Sequence, residues 1–319
     1  MAPEVTVVVP TRDRWPIVAS TALKAALGQE EIELEIIVVD DGSAQEAPTR
    51  LSGLDDPRVR LVRHARPKGV AAARNAGIRL AQADWIAFLD DDDVWAPQKL
   101  RRQVNAARAC KAGFAYSGAV WVDSDWRLVQ GRAPPDPETL PSALLRWNVI
   151  WGGASNVVAR TDLLRSLNAF DETLFQLADW DLWIRLALAD SAVALDDVLV
   201  ALVVHRGSML LVDRRDVFAE FAYLEDKHRE AARRAGVRLD AAAFARWVAG
   251  GHLRAGRRPA AARAYLRGTA SPGNLLRAVG ALVSPSLLAS ARSLRPVVPG
   301  ALPEGQRVAE MPDWLDLYR

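Results

Sequence analysis

Four consecutive aspartates, Asp90, Asp91, Asp92 and Asp93, form the densest group of chemically useful side chains in this sequence. They directly follow the apolar run at residues 86–89, so a buried strand is predicted to end where the carboxylates begin. Adjacent carboxylates repel one another and destabilise a site unless a cation offsets their charge. Oxygen ligands of this kind suit a hard divalent ion, so the run predicts a Mg²⁺ or Mn²⁺ site. The alternative is a solvated acidic turn that caps the helix predicted to start near Pro97.

The elements that must position these carboxylates are predicted from short β-branched runs that alternate with helical patterns. Strands are predicted at residues 5–9, 35–39, 58–62 and 85–89, with helices at residues 12–29 and 70–83. Runs that are apolar on both faces are typical of a parallel sheet covered by helices. This order predicts right-handed crossovers and ligands beyond the carboxyl ends of the strands, where Asp40, Asp41 and the aspartate run all fall.

The pattern of strands and helices along the whole chain predicts two domains. The first, residues 1–215, is an α/β domain with a Rossmann-like, mostly parallel sheet flanked by helices, and it contains a hairpin that turns at Asp123-Ser124-Asp125. Arg132 to Pro141 is predicted to be a loop, and residues 161–167, 180–189 and 198–204 are predicted as two helices and a late strand. The second, residues 216–319, is a C-terminal α-helical appendage with a Pro/Gly-punctuated tail; its helices are predicted at 216–235, 240–255, 259–268, 274–283 and 285–294.

Overall composition excludes several classes of function. Basic and acidic residues number 41 and 39, and a net charge of +2 gives no field that would indicate nucleic-acid binding. The single cysteine, Cys110, excludes an intrachain disulfide, and the N-terminus lacks a secretion signal, so a cytoplasmic location is expected. No apolar run reaches the roughly 18 to 20 residues that span a bilayer. Residues 278–291 are predicted to belong to a packed helix pair, and peripheral association with the inner face of a membrane is the alternative.

Six short motifs, in family order, resemble those of the family 2 glycosyltransferases of GT-A fold. They are residues 7–14 (VVVPTRDR), 38–43 (VVDDGS), 69–77 (GVAAARNAG), 88–95 (FLDDDDVW), 152–155 (GGAS) and 170–183 (FDE to DWDLW). The resemblance covers roughly residues 4–210. It implies a metal-dependent transferase whose donor is a nucleoside-diphosphate sugar, with UDP the favoured nucleotide.

The resemblance also implies roles for individual residues around the donor. The nucleotide-binding residues would be Pro10, Thr11, Arg12, Asp13, Asp41, Arg74, Asp90 and Asp91. Of these, Asp41 would hydrogen-bond the base and Asp90 would approach the ribose. Asp92, together with His205, would bind the metal that joins the two phosphates. A turn-forming role for Asp41 and an exposed helical position for Arg74 remain as alternatives.

Asp179 is expected to supply the catalytic base. Family members carry a Glu-Asp pair before an aromatic-rich helix, and here Ala178 stands in the glutamate position and Asp179 in the base position. Asp181, two residues further, is expected to be a structural partner. The donor sugar is expected to lie against small and aromatic residues, namely Trp151, Gly152, Gly153 and Trp180.

The implied reaction is a single displacement with inversion, in which an acceptor hydroxyl loses its proton to Asp179 and attacks the anomeric carbon. A glycan, a lipid-linked molecule or a natural product would serve as acceptor; the sequence specifies neither it nor the oligomeric state. Two alternatives stay open. One is a non-catalytic nucleotide-sugar-binding or scaffold protein of the same fold, which the replaced glutamate at Ala178 keeps in view. The other is a sugar nucleotidyltransferase, which would usually show a glycine- and basic-rich loop in place of residues 10–14.

Overall fold

The computed structural model describes residues 2–48, 53–204, 216–268, 272–283 and 310–318. The chain divides into two compact units. The first unit comprises Met1–Pro141, Val149–Val204 and Glu304–Arg319, and the second comprises Ser142–Asn148 and His205–Pro303.

A mixed sheet lies at the centre of the first unit. Its strands within the described ranges are β1 (Val5–Thr11), β2 (Leu34–Asp40), β3 (Val59–Arg63), β4 (Trp85–Phe88), β5 (Val94–Trp95), β6 (Phe114–Val122), β7 (Leu128–Arg132), β8 (Val158–Arg160) and β9 (Ala192–Val203). Their order is β3-β2-β1-β4-β8-β6-β9-β5, with β7 beside β6. Strands β3, β2, β1 and β4 are parallel, as the sequence predicts, and β8 pairs antiparallel with both β4 and β6. The side chains of β1 are buried along its whole length, which explains its continuous apolar run.

Helices of the first unit pack against this sheet. They are α1 (Trp15–Ser20), α2 (Ala22–Leu27), α3 (Val70–Leu80), α4 (Lys99–Cys110), α6 (Thr161–Ser166) and α7 (Ala178–Ala189). A short helix, α5 (Leu140–Leu144), follows the proline-rich loop, and its residues from Ser142 onward belong to the second unit. The single helix predicted after β1 is two short helices, because the backbone leaves helical geometry at Thr21. The Thr21 hydroxyl donates to the carbonyl oxygen of Asp91 at 2.6 Å, which ties this break to the acidic run.

The predicted hairpin is confirmed by the pairing of β6 with β7. Asp123 holds the turn, because its Oδ1 accepts hydrogen bonds from the backbone N–H groups of Asp125 and Arg127, each at 2.9 Å. The second Asp-X-Asp sequence of the chain is therefore a turn, as expected.

The second unit is helical, as predicted. Its helices among the described residues are α8 (Val217–Arg234), α9 (Ala241–Arg254), α10 (Arg258–Arg267) and α11 (Pro272–Val283). Asp216 and Asp240 cap α8 and α9, since their side chains accept hydrogen bonds from backbone N–H groups in the first turns. The helix predicted at residues 285–294 lies outside the described residues. Within the described ranges, no helix is both long and apolar enough to cross a membrane.

The two units of the structure differ in two places from the predicted division at residue 215. Ser142–Asn148 belongs to the second unit, where the Trp147 ring meets Trp247 edge-on at 6.5 Å. The tail, predicted to belong to the helical appendage, packs on the first unit through a 3₁₀ helix, Asp313–Tyr318. Leu315 is fully buried there, and the Tyr318 hydroxyl donates to the carbonyl oxygen of Trp95 at 2.8 Å. Burial of these aromatic and apolar side chains explains why the tail returns to the sheet.

The contact between α3 and β1 predicts a position where one methyl group is too large. A Cβ atom on Gly77 would lie 2.3 Å from Cγ1 of Val8 in the strand, so Gly77→Ala should lower the free energy of unfolding by about 1–3 kcal/mol, measured by urea denaturation. Gly250→Ala in α9 is the matched control, because its Cβ would lie 3.5 Å from the nearest atom, on the Arg254 side chain. That control should be neutral or stabilise by up to about 1 kcal/mol. Equal effects of the two substitutions would contradict the close packing.

Candidate functional site

The carboxyl ends of three neighbouring strands bring most of the predicted nucleotide-binding residues to one edge of the sheet. Strand β1 ends at Thr11 and β2 at Asp40, and these two residues are partners in the parallel register. Beyond β4, the N–H of Leu89 donates to the carbonyl oxygen of Val8 at 3.0 Å, so the chain reaches Asp90 beside the end of β1. Parallel strands place such ends together, which makes this edge the expected ligand site of the fold.

Arg14 offsets part of the negative charge of the aspartate run. Its two terminal nitrogens lie 2.8 Å from Asp91 Oδ1 and 2.8 Å from Asp92 Oδ2. Thr11 adds a hydrogen bond from its hydroxyl to Asp91 Oδ2 at 2.8 Å. The sequence predicts an external cation for this purpose; the structure shows that the protein supplies one of its own.

Arg74 pairs with the first aspartate of the run. Its Nη2 lies 2.5 Å from Asp90 Oδ1, and the guanidinium stands over the ring of Phe170 with its carbon 5.3 Å from the ring centroid. Arg74 is only 5% exposed, so the alternative of an exposed helical arginine is wrong. Burial makes this pair a fixed part of the site.

The interior members of the run hold their protons more tightly than ordinary carboxyl groups. Burial and the charge of Asp92 raise the pKa of Asp91 to about 7, against the lowering effect of Arg14. Burial raises the pKa of Asp93 well above its usual range, and its Oδ2 accepts a hydrogen bond from the Ser155 hydroxyl at 2.5 Å. Asp92 and Asp90 are the more accessible members, which agrees with the expectation that these two meet the ligand.

Asp41 is buried among hydrogen-bond donors. Its Oδ1 lies 2.8 Å from Nδ1 of His64 and accepts from the N–H of Lys68 at 2.9 Å, while its Oδ2 accepts from the N–H of Gly69 at 2.8 Å. These bonds fix the loop that leads into α3. The turn of the Asp-Gly-Ser segment is bonded by Asp40 instead, whose Oδ1 accepts from the N–H of Ser43 at 2.9 Å. The predicted contact of Asp41 with a nucleotide base stays a prediction.

The residues that follow β1 divide into buried and exposed members. Pro10 and Thr11 are buried, whereas the Arg12 and Asp13 side chains are 55% and 47% exposed. Asp13 accepts from the N–H of Ala44 at 2.6 Å and donates its own N–H to Ser43 at 2.7 Å. The segment after β1 is therefore joined to the Asp-Gly-Ser segment after β2.

Asp179 occupies the first turn of α7, and its carboxylate faces the glycine pair. A Cβ atom on Gly153 would lie 3.4 Å from Asp179 Oδ2. Burial raises the pKa of Asp179 to about 6; the positive charge of Arg74 lowers it and the negative charge of Asp90 raises it. The predicted base and the Arg74–Asp90 pair therefore share one electrostatic environment. A carboxyl group with a pKa near 6 suits proton transfer close to neutral pH.

The predicted donor-sugar residues fall into two groups. Gly152 and Gly153 both have positive φ, at 95° and 51°, and they lead into the 3₁₀ helix Gly153–Asn156 beside Asp179. Trp151 packs against Trp121, with ring centroids 5.1 Å apart. Trp180 is only 2% exposed, so its ring packs in the interior and does not form the stacking wall that the sequence suggests.

The remaining predicted positions are those of the metal ligands and of Asp181. His205, the second predicted metal ligand, lies outside the described residues. Among the described residues, no three His, Cys, Asp or Glu side chains converge as a ready metal site. Asp181 is buried and paired with Arg185 at 2.6 Å, so its expected structural role is confirmed.

The contacts of three residues at this site were not predicted from the sequence. Arg14 and Ser155 meet the aspartate run, and Asn75 exchanges hydrogen bonds of 2.9 Å with the backbone of Phe170. Arg14 could have been found by charge, since it follows β1 by three residues and the acidic run needs a cation. Ser155 and Asn75 lie within the motifs that resemble the family, but their types give no direct signal of a partner.

Parts of this chain are similar in sequence to known proteins. Residues 6–167 match the model of the family described as glycosyl transferase family 2. The succinoglycan biosynthesis protein ExoO of Rhizobium meliloti is 36% identical over 163 residues, covering 48% of this chain and 47% of that protein. The UDP-Glc:alpha-D-GlcNAc-diphosphoundecaprenol beta-1,3-glucosyltransferase WfaP of Escherichia coli is 30% identical over 125 residues, covering 39% and 49%. The chain thus spans about half the length of these relatives.

The fold is also shared with a solved structure. S. aureus TarS residues 1–349, in complex with UDP-GlcNAc, superposes with a TM-score of 0.55 and 16% identity, covering 91% of this chain and 87% of that one. The expected GT-A fold is thereby confirmed. Because the family model matches about half of the chain, from the first strand through α6, the chain belongs to glycosyltransferase family 2.

Proposed function

We propose that this chain transfers a glycosyl group, with inversion, from a UDP-sugar to a hydroxyl group of an acceptor. The observation that carries the proposal is the position of Asp179, which faces Gly153 and is influenced by the charges of Arg74 and Asp90. A base is thus adjacent to the glycines proposed to hold the sugar and to the aspartates proposed to hold the nucleotide. In a single displacement, the base that takes the proton of the acceptor and the nucleotide that leaves must lie on opposite sides of the anomeric carbon.

Asp179 acts as the base in this proposal. Its carboxylate accepts the proton of the acceptor hydroxyl while the oxygen attacks the anomeric carbon and the nucleoside diphosphate leaves. The N–H of Trp180 donates to Asp179 Oδ1 at 2.7 Å, which leaves Oδ2, the atom that faces Gly153, to meet the acceptor. Ala178 is 1% exposed and removes the second carboxylate of the family pair, so Asp179 has no neighbouring glutamate to raise its pKa further.

The donor would be held at the carboxyl edge of the sheet. Asp90 is proposed to meet the ribose and Asp92 to bind Mg²⁺ or Mn²⁺. One accessible carboxylate with phosphate oxygens is a typical ligand set for Mg²⁺, which rarely occupies an all-protein cage. The metal would supply positive charge to the leaving diphosphate. Arg14, already within 2.8 Å of Asp92, is placed to contact the same phosphates.

The acceptor is proposed to be lipid-linked. The name of WfaP states that it acts on a diphosphoundecaprenol-linked sugar, and that protein is 30% identical to this chain over 125 residues. Location at the cytoplasmic face of a membrane would accompany such an acceptor. Turnover of a donor with any acceptor separates this proposal from the non-catalytic alternative.

Removal of the Asp179 carboxylate should abolish most transfer without weakening donor binding. Asp179→Asn is expected to lower kcat by about 10²–10⁴-fold, the usual contribution of a general base, with little change in the KM for the UDP-sugar. Release of UDP measures the rate. Asp162→Asn is the matched control, since Asp162 lies in the first turn of α6 and is 76% exposed. Full activity of Asp179→Asn would refute the assignment.

The raised pKa of Asp179 predicts the pH dependence of transfer. The base must be ionised, and its pKa is about 6, so kcat/KM should fall as the pH decreases below that value and level off above it. Initial rates at low donor concentration between about pH 5 and about pH 8 give the profile. A profile that stays flat through this range would contradict the role of Asp179.

Nucleotide and metal should stabilise the protein only in combination. UDP with Mn²⁺ is expected to raise the melting temperature by roughly 3–8 °C at concentrations about 100-fold above Kd, whereas either alone should have little effect. Asp92→Asn should lose this rise. Asp125→Asn is the control, because Asp125 belongs to the other Asp-X-Asp sequence and is 66% exposed. Equal shifts in the two variants would contradict the metal assignment.

A further inference from the structure

The last three helices of the second unit carry an unusual concentration of positive charge. Residues 241–283 include seven arginines and no acidic residue. The arginines are Arg246, Arg254, Arg257, Arg258, Arg263, Arg267 and Arg277. The preceding helix α8 differs, since it mixes acidic and basic side chains in ion pairs along its length. Among the described helices of this unit, an excess of positive charge is therefore found in the last three.

The arginines lie close enough to act on one another. Burial lowers the pKa of Arg246, while the charge of Asp240 raises it and that of Arg277 lowers it. Burial and the charges of Arg257 and Arg263 lower the pKa of His252. Arg254, Arg257 and Arg263 are exposed, and Arg267 is exposed but paired with Asp216 at 2.7 Å. Mutual repulsion of this kind creates a positive potential that an anionic surface would relieve.

Helix α11 packs against α10 and presents an apolar face of its own. Leu275, Leu276, Val279 and Leu282 are 50–59% exposed, and their spacing places them on one side of the helix. Asn274, Ala278 and Ala281 on the other side are buried. Leu266 of the neighbouring helix α10 is 58% exposed and lies between Arg263 and Arg267 in sequence. Large apolar side chains grouped in this manner mark an interaction surface.

We propose that this surface, the exposed side of α10 and α11, docks on an anionic lipid bilayer. Apolar side chains on one face of a helix, with arginines around it, are the features of helices that lie in the membrane interface. Leucine and valine would enter the boundary of the acyl chains, and the arginines would contact lipid phosphates. Charge favours a bilayer over a second copy of this chain, because two such surfaces would bring like charges together.

Docking extends the proposed function but does not depend on its chemistry. A lipid-linked acceptor would be confined to the membrane, so the surface would bring the enzyme to it. Binding to vesicles and transfer to a soluble acceptor can be measured separately. Asp179→Asn should bind vesicles like the wild type, which keeps failure of the two proposals distinguishable.

Vesicle co-sedimentation tests the surface. The wild type should bind vesicles of phosphatidylglycerol and phosphatidylcholine, and should bind pure phosphatidylcholine far more weakly. Leu275→Glu with Val279→Glu should reduce partitioning by roughly tenfold or more, because two apolar side chains are lost and two negative charges are added. Arg257→Gln with Arg263→Gln should reduce it by about 30-fold on anionic vesicles, at about 1 kcal/mol for each arginine. Val129→Glu, at a residue 56% exposed on β7, is the control and should bind normally.

Each other outcome overturns the proposal. Wild-type protein that fails to bind anionic vesicles, or double variants that bind as well as the control, would exclude this surface. Light scattering that shows a wild-type dimer, lost in the leucine and valine variant, would assign the surface to self-association. Thermal melting checks that each variant folds, and Leu276→Gln with Leu282→Gln replaces the glutamate pair if that pair lowers the melting temperature.

Discussion

Compensation of buried carboxylates is the constraint on which the rest of the first unit depends. The parallel strands gather six aspartates at one edge, at Asp40, Asp41 and the run of four, and several of these side chains are buried. Such a cluster is unstable unless cations and N–H groups meet it. Arg14 and Arg74 provide the charge, and the loop before α3 provides N–H donors to Asp41. The sequence around each strand end can be understood as a response to that requirement.

Helix α3 connects the two halves of the site. Arg74 pairs with Asp90 and acts on Asp179, while its neighbour Asn75 binds the backbone of Phe170 ahead of α7. Consecutive residues of one helix thus fix both the carboxyl edge of the sheet and the segment that carries Asp179. Gly77, one turn further, lets the helix approach β1 closely enough for these contacts. Small displacements of α3 would accordingly disturb both halves together.

Sequence patterns predicted the strands and turns better than they predicted the contacts between side chains. Strands β1, β2 and β4 were predictable because burial on both faces demands continuous apolar residues, and Asp123 in its turn was predictable from local hydrogen bonding. The positions of Asp90, Asp92 and Asp179 followed from their motifs. The burial of Trp180 and the pairing of Arg14 did not, since both depend on packing between segments distant in sequence. The return of the tail was missed for the same reason, because Leu315 and Tyr318 bury themselves on strands remote from them in the chain.

The placement of that tail has a consequence for synthesis. Residues 205–303 belong to the other unit and are synthesised before Tyr318. The surface around Trp95 therefore lacks its contact with Tyr318 until that whole unit has been made. A chain that emerges at about 5–20 residues per second would leave this part of the sheet uncovered for several seconds. During that interval, Trp126 lacks the Tyr318 ring on which it stacks, and the carbonyl oxygen of Trp95 lacks the Tyr318 hydroxyl that donates to it.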